Sequence, residues 1–317
     1  MDANLVIVTG AGGFLGRYAV AQLVEDGFAV VAVSRSVSPV ESPACTNLPL
    51  DLEDPASVEM LSRAVRGQAK ALVHFAAAIP RPIPGHRAEE CGQRNLRIDH
   101  HILRVCEKLE CPLIYGSAAA YPAHLTGIKT EDMEINPSEP YVREKIESER
   151  EFLRHFAGSP SRFTSLRISA PYGPGQTATT VVRIFLDRAL KDEPLMYHGS
   201  GAREQDFIHA ADVARAVACS VRQSPTGEFS RVFNIAAGTP VTMKQLGAAV
   251  VGAVSGCRSD VQPSGKPDPQ EQRYASFSIE RARTLLGWSP AISLEDGLRQ
   301  WAERIRAEGR YANRTPL

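Results

Sequence analysis

No two of the six cysteines (Cys45, Cys91, Cys106, Cys111, Cys219, Cys257) stand in a CxxC pair, and their placement matches no metal-ligand spacing. Free thiols are expected, so neither a disulfide scaffold nor a cysteine zinc site underlies the fold. Histidine adds no metal motif: among the eight, His100 and His101 are adjacent and point to different sides of any helix. No apolar run reaches spanning length, and Met1-Asp2-Ala3-Asn4 leads straight into an apolar strand pattern, leaving no room for a signal peptide. A cytoplasmic protein with no membrane partner is the expectation. Net charge is missing too. Lys plus Arg equals Asp plus Glu at 36 each, which removes any global pull toward nucleic acid and makes any anion site local. Neither an internal repeat nor a low-complexity linker interrupts the chain.

What the chain does have is apolar content and a glycine turn. With 317 residues at 43% hydrophobic content it can bury a large core, and its length suggests two lobes. Near the start, Leu5-Val6-Ile7-Val8-Thr9-Gly10-Ala11-Gly12-Gly13-Phe14-Leu15-Gly16 runs from an apolar stretch through glycines into helical periodicity over Arg17 to Val24. That order reads as buried parallel strand, turn and helix. Such a junction binds phosphate, because unpaired N–H groups and the positive end of the helix dipole point there and glycine lets a pyrophosphate reach the backbone. A G-x-G-x-x-G pattern would need glycine where Leu15 stands, whereas Gly10, Gly13 and Gly16 fit G-x-x-G-x-x-G.

Strands and helices then alternate. Ala29 to Val33 is a second buried strand, and a polar Ser- and Pro-rich loop leads to Leu48-Pro49-Leu50-Asp51. Pro55 to Val65 is a helix opened by proline, Ala71 to Phe75 a strand, and Glu89 to Leu109 a long helix. Strand Leu113 to Tyr115, a helix from Tyr141 and strand Thr164 to Ile168 continue the rhythm. This βαβα order implies an α/β protein with a Rossmann-type doubly wound parallel sheet. Beyond Pro171-Tyr172-Gly173-Pro174 the rhythm loosens, with helices expected at Thr180 to Leu190, Asp212 to Ser220, Met243 to Val254 and Leu294 to Ala307. Because the sheet borrows a strand at Val232 to Ile235, the second lobe is discontinuous: residues 1–169 plus about 205–236 bind dinucleotide, and about 170–204 plus 237–317 bind substrate.

Cofactor choice is read at the end of the second strand. Residues 30 to 36 contain no Asp or Glu to hold a ribose 2′-hydroxyl, and Ser34 and Arg35 stand there instead. An arginine fork beside a serine hydroxyl suits a 2′-phosphate, so NADP(H) is preferred, with NAD(H) the alternative. Asp51, followed by Leu52, is a further contact toward adenine. The chemistry is expected at Tyr141, Lys145 and Ser117. Four residues apart on a helix, the Lys145 ammonium lies beside the Tyr141 phenol and lowers its pKa from near ~10, fitting it to move a proton. Ser117 follows strand Leu113 to Tyr115, at the carboxyl end where ligands collect, and its hydroxyl can hold the substrate oxygen.

These residues resemble the extended short-chain dehydrogenase/reductases, a family of nucleotide-sugar epimerases, dehydratases and reductases, over nearly the whole chain. The marks are Thr9 to Gly16, His74-Phe75-Ala76-Ala77, Asn95, Ser117-Ala118-Ala119-Ala120-Tyr121, Tyr141 to Lys145, Arg167 with Pro171-Tyr172-Gly173-Pro174, and Leu286-Gly287-Trp288. The resemblance implies Ser117, Tyr141 and Lys145 as catalytic trio, with Lys145 also on the nicotinamide ribose. It implies that Gly12, Phe14, Leu15, Ala76, Ala77, Asn95 and Pro171 adjoin the cofactor, and it leaves His74 as a core histidine on a strand. It also implies a homodimer through the helices Glu89 to Leu109 and Tyr141 to His155.

Departures bear on the substrate. Many relatives carry Asn where this chain has Ala170, and Arg-Asp-Phe where it has Gln205-Asp206-Phe207, both usual contacts to a nucleotide diphosphate. Arg203 and Lys266, with Tyr172 and Gln205, are the expected substrate contacts, and a nucleotide sugar is favoured. Ser117-Ala118-Ala119 lacks the acid pair of the dehydratase branch. Three readings follow: an NADPH-consuming ketoreductase of a keto-sugar nucleotide, an epimerase with resident NAD, and a non-enzymatic cofactor-binding protein.

Overall fold

The computed structural model describes residues 4–35, 41–65, 69–79, 88–135, 137, 139–158, 163–223 and 231–308. Residues 1–3, on which the absence of a leader was argued, and 224–230 and 309–317, included in the expected lobe boundaries, lie outside these. The elements run β1 (Leu5–Thr9), α1 (Phe14–Glu25), β2 (Ala29–Ser34), β3 (Cys45–Pro49), α2 (Ala56–Ala64), β4 (Ala71–His74), α3 (Ala88–Leu109), β5 (Leu113–Ala118), α4 (Pro140–His155) and β6 (Phe163–Ile168). There follow β7 (Ala170–Tyr172), α5 (Val181–Ala189), β8 (Leu195–Tyr197), β9 (Glu204–Gln205), β10 (Phe207–His209), α6 (Ala210–Gln223), β11 (Arg231–Ile235), β12 (Val241–Thr242), α7 (Met243–Ala253), β13 (Val261–Pro263) and α8 (Leu294–Ala307), with a π-helical turn at Ala282–Leu286.

Seven strands form one parallel sheet in the order β11-β6-β5-β4-β1-β2-β3. The strands read as continuous apolar runs because both faces are covered. Val6, Val8, Val73 and Ile114 face one core with Val20 and Leu23 of α1, Val213 and Val217 of α6, and Trp288. The alternate residues Ile7, Leu72, Leu113 and Tyr115 face the other, with Leu61 of α2, Ile102 of α3 and Phe152 of α4. The order reverses between β1 and β4, so their carboxyl ends frame the crevice where such sheets bind ligands.

A third core lies beyond the sheet, where Phe185 and Leu186 of α5, Leu246 and Val250 of α7, and Leu298, Trp301 and Ile305 of α8 pack together. Among the described residues there are three two-stranded ribbons, β10-β7, β12-β9 and β13-β8, of which β10-β7 packs against both α6 and α8 and so joins this part to the sheet's flank, while β13-β8 lies within the third core. They span two or three residues each, too short to leave a period in the sequence. The stretch expected to be a polar loop before Leu48 instead forms the edge strand β3, paired with β2 from Cys45 to Pro49. Among the described residues, no helix is long and apolar enough to cross a membrane and no cluster of His, Cys, Asp and Glu is suited to a metal ion.

Candidate active site

The glycine turn has the geometry its spacing implies. Gly10 has φ +67, and a Cβ there would lie 2.6 Å from the Ala76 nitrogen. Gly13 donates to the Gly10 carbonyl at 2.8 Å, and a Cβ on Gly16 would collide with that same carbonyl. Helix α1 begins at Phe14 without a side-chain cap and without an acidic residue in its first turn. Its positive end therefore faces the crevice uncompensated, as a pyrophosphate requires. Gly12 and Leu15 lie in the turn and the first helical turn.

Around the turn, the other expected cofactor residues fall into two groups. Ser34 ends β2 and the exposed Arg35 follows it, beside the turn, since Ala11 donates to the Val33 carbonyl at 3.2 Å. Asp51 is exposed, but Leu52 is buried in the core and offers only backbone, its carbonyl meeting His101 at 2.8 Å. Ala76 and Ala77 follow β4 at the mouth of the crevice. Asn95 stands behind them: its amide accepts from the Ala78 N–H at 2.6 Å and donates to the Ala78 carbonyl at 3.1 Å, so it braces this segment.

Beneath the crevice runs a buried relay. Burial pushes the His74 imidazole below its ordinary pKa. The neutral ring then donates from Nε2 to Asp99 at 2.7 Å and accepts at Nδ1 from the Thr9 hydroxyl at 2.6 Å, which in turn accepts from the Ala76 N–H at 3.4 Å. His74 is thus a core histidine that fixes the crevice floor.

The trio is assembled from β5 and α4. Leu113, Tyr115 and Ser117 alternate onto one face of β5, the face against which Phe152 of α4 packs edge-on at 5.0 Å from the Tyr115 ring. Tyr141 and Lys145 lie in the first and second turns of α4. Lys145 is buried, its ammonium 4.4 Å from the centre of the Tyr115 ring. Burial lowers its pKa, and the Asp99 carboxylate opposes that fall. The Ser117 Oγ is buried with no hydrogen-bond partner among the described residues, as expected of a hydroxyl kept for a ligand.

One expectation is reversed. Burial, with Asp99 and Glu144 adding to it, pushes the Tyr141 phenol up to about 12. The Lys145 charge does not acidify it, because the ammonium is turned over the Tyr115 ring and answered by Asp99.

A cleft opens past the end of β5, lined by Ala119, Ser169, Ala170, Gln205, Asp206, Arg273, Ala275 and Phe277. Of the expected substrate contacts it contains Gln205. Tyr172 is instead buried in the third core, its hydroxyl donating to the carbonyls of Ser293 and Leu294 at 3.4 and 3.3 Å. Pro171 precedes it on β7 and pairs with Ile208. Arg203 lies 3.1 Å from Asp268 and donates to Gln270 at 3.0 Å, so its charge is compensated within the protein. Lys266 is exposed and absent from the lining, its carbonyl accepting from the Gly199 N–H at 2.8 Å. Arg273, which sequence reasoning passed over, does line the cleft. No periodic or motif signal marks it, since it sits in a loop.

Behind the cleft, Glu149 of α4 is fully buried. Its carboxylate accepts from Arg167 at 2.7 and 3.1 Å and from Ser165 at 2.5 Å. Arg167 reaches on to Tyr121 at 3.2 Å, and Tyr121 to Asn234 at 2.6 Å. This satisfied network ties α4, β6, β11 and the loop after β5 into one frame.

Comparison with known proteins accords with this arrangement. Residues 6–236 match the model of the NAD dependent epimerase/dehydratase family. The chain is 27% identical to a dTDP-4-dehydro-6-deoxyglucose reductase of Escherichia coli, over 97% of this chain and 100% of that protein. It is 24% identical to a UDP-glucose 4-epimerase of Mycolicibacterium smegmatis, over 95% and 98% of the two chains. Its fold superposes on the crystal structure of a UDP-glucose 4-epimerase with UDP-glucose from Thermotoga maritima with a TM-score of 0.83 at 26% identity, covering 96% and 99% of the two chains. From the glycine turn to the trio on β5 and α4, this chain belongs to the NAD dependent epimerase/dehydratase family and is one of its oxidoreductases.

Proposed function

We propose that the protein is an NADPH-dependent ketoreductase acting on a nucleotide-linked 4-keto sugar. The observation that carries this reading is the absence of any carboxylate from residues 30 to 36, with Ser34 and the exposed Arg35 at the end of β2 instead. A reductase draws on a reduced pool at every turnover, and a contact to the 2′-phosphate selects that pool. The residues fit a dinucleotide: Gly10 and Gly16 let the turn close tightly on its own backbone where a Cβ would collide, and the start of α1 is uncapped. Gly10 to Gly16 would hold the pyrophosphate, Ser34 and Arg35 the 2′-phosphate, and Lys145 the nicotinamide ribose. When bound, the cofactor supplies the hydride.

The chain's own groups do the rest. The Ser117 hydroxyl donates to the substrate carbonyl oxygen, and the Tyr141 phenol, protonated at neutral pH, gives its proton to the oxygen as negative charge develops. Lys145 places a positive charge beside them. In this reading residues 170–204 and 237–317 form the substrate lobe, and the protein works as a cytoplasmic homodimer. The balanced charge supports the absence of a nucleic-acid partner.

A second reading, a 4-epimerase with tightly held NAD, is favoured by the likeness to the Thermotoga maritima epimerase. The test is to incubate the protein with candidate 4-keto-6-deoxy nucleotide sugars and NADPH and follow the reduced nicotinamide. Stoichiometric loss is expected, faster with NADPH than NADH, and the preference should shrink about ten- to a hundredfold in Arg35→Ala. Interconversion of two epimers without net change in nicotinamide would establish the epimerase instead.

A further inference from the structure

The cleft past the end of β5 contains a positive charge with no ion-pair partner among the described residues. Two guanidinium groups meet at the Gln270 side-chain oxygen, Arg203 at 3.0 Å and Arg273 at 3.4 Å. Asp268, itself almost wholly buried, pairs with Arg203. No such partner stands by Arg273, which forms no ion pair among the described residues, although it lines the cleft with Gln205 and Phe277. Burial lowers its pKa, Glu139 at the head of α4 counters only from a distance, and Arg203 adds repulsion. A half-buried cation without an ion-pair partner is a costly arrangement that a ligand anion relieves. Its place is fixed as well: the Arg273 N–H donates to the Gln270 carbonyl at 2.9 Å, and its carbonyl accepts from Glu204, at the start of β9, at 2.9 Å.

We propose that Arg273 is the anion-receiving residue of the cleft, taking an oxyanion of the substrate in its guanidinium fork while Gln205 beside it offers an amide. The inference rests on the reading of this cleft as the substrate site. Two sources share the chemistry: a phosphate of a nucleotide-linked sugar, or a carboxylate of an acidic sugar without a nucleotide. Because Arg203 is neutralised by Asp268, Arg273 carries the charge recognition that sequence reasoning divided between Arg203 and Lys266.

The experiment is calorimetric titration of the full chain with a nucleoside diphosphate and, separately, with a uronic acid, in wild type, Arg273→Gln and Arg273→Lys. NADPH titration of each variant reports that the fold is intact. The expected result is nucleoside diphosphate binding weakened about ten- to a hundredfold by Arg273→Gln and less by Arg273→Lys, with NADPH affinity unchanged. Weakening confined to the uronic acid supports the same residue with the carboxylate as its ligand. Unchanged affinity for both in an Arg273→Gln protein that still binds NADPH overturns the proposal, as does a wild type that binds neither anion. NADPH-linked reduction measured on the same samples decides the reading of the reaction separately.

Discussion

A phenol that keeps its proton to about 12 is a poor base at neutral pH and a ready acid toward an alkoxide. In the proposed reduction Tyr141 gives a proton away, which a phenol protonated at neutral pH is able to do. Between pH 10 and about 12 the folded protein holds a proton that the unfolded chain has released. The contribution of this group to stability is complete below pH 10 and is lost as pH rises through that window. Replacing Tyr141 by Phe keeps the ring and removes the proton. Turnover should fall about 10²- to 10⁴-fold with cofactor affinity almost unmoved, and the tyrosinate absorbance difference between the two proteins should develop only above pH 10. A variant retaining a tenth of wild-type turnover, or a difference developing near neutrality, would remove Tyr141 from its role. The spacing of Tyr141 and Lys145 was legible in the sequence and the sense of the shift was not. Spacing along one helix does not reveal the Tyr115 ring or the Asp99 carboxylate, which come from β5 and α3.

At the scale of elements, the β1–α1 turn is a packing problem that only glycine solves. Gly16 has no room for a Cβ against the Gly10 carbonyl, so Gly16→Ala must push the turn apart. We expect a loss of about 1–3 kcal/mol in stability together with lost cofactor affinity, checked by denaturant melts and NADPH titration. Full affinity in a stable Ala variant would show that the turn does not cradle the dinucleotide. The glycines could be read from sequence because their spacing is local. The long strands and helices were legible for the same reason, since β1, β2 and β4 are unbroken apolar runs. Two features were not. The edge strand β3 carries a mixed sequence, CTNLP, with only one neighbour to pair with, and Tyr172 lies on a strand of three residues whose burial is decided by α8, more than 120 residues later.

For the molecule as a whole, α6 and β11 bring the chain back to the first sheet after it has left. Val213, Val217 and Phe233 are buried in the core that α1 shares. A fragment ending at residue 169 lacks all three, and it should show no cooperative thermal transition. A sharp melt in such a fragment would make it an independent unit. From the sequence the sheet is expected to borrow the strand at Val232, and β11 does pair with β6 in that sheet. The crossing at 169–170, where the sequence reading sets the boundary between its two lobes, is short. Strand β6 ends at Ile168 and β7 begins at Ala170, with Ser169 alone between them. The Ser169 N–H donates to Ile235, its hydroxyl to Asp206, and the Ala170 N–H to the Asp206 carbonyl, while the Asp206 carboxylate accepts from the Ala237 and Gly238 N–H groups at 2.7 and 2.8 Å. A hinge needs a few residues free to change φ and ψ, and this crossing has none to release. In the proposed reading, a substrate would meet a cleft whose Ser169 side already has its shape before anything enters.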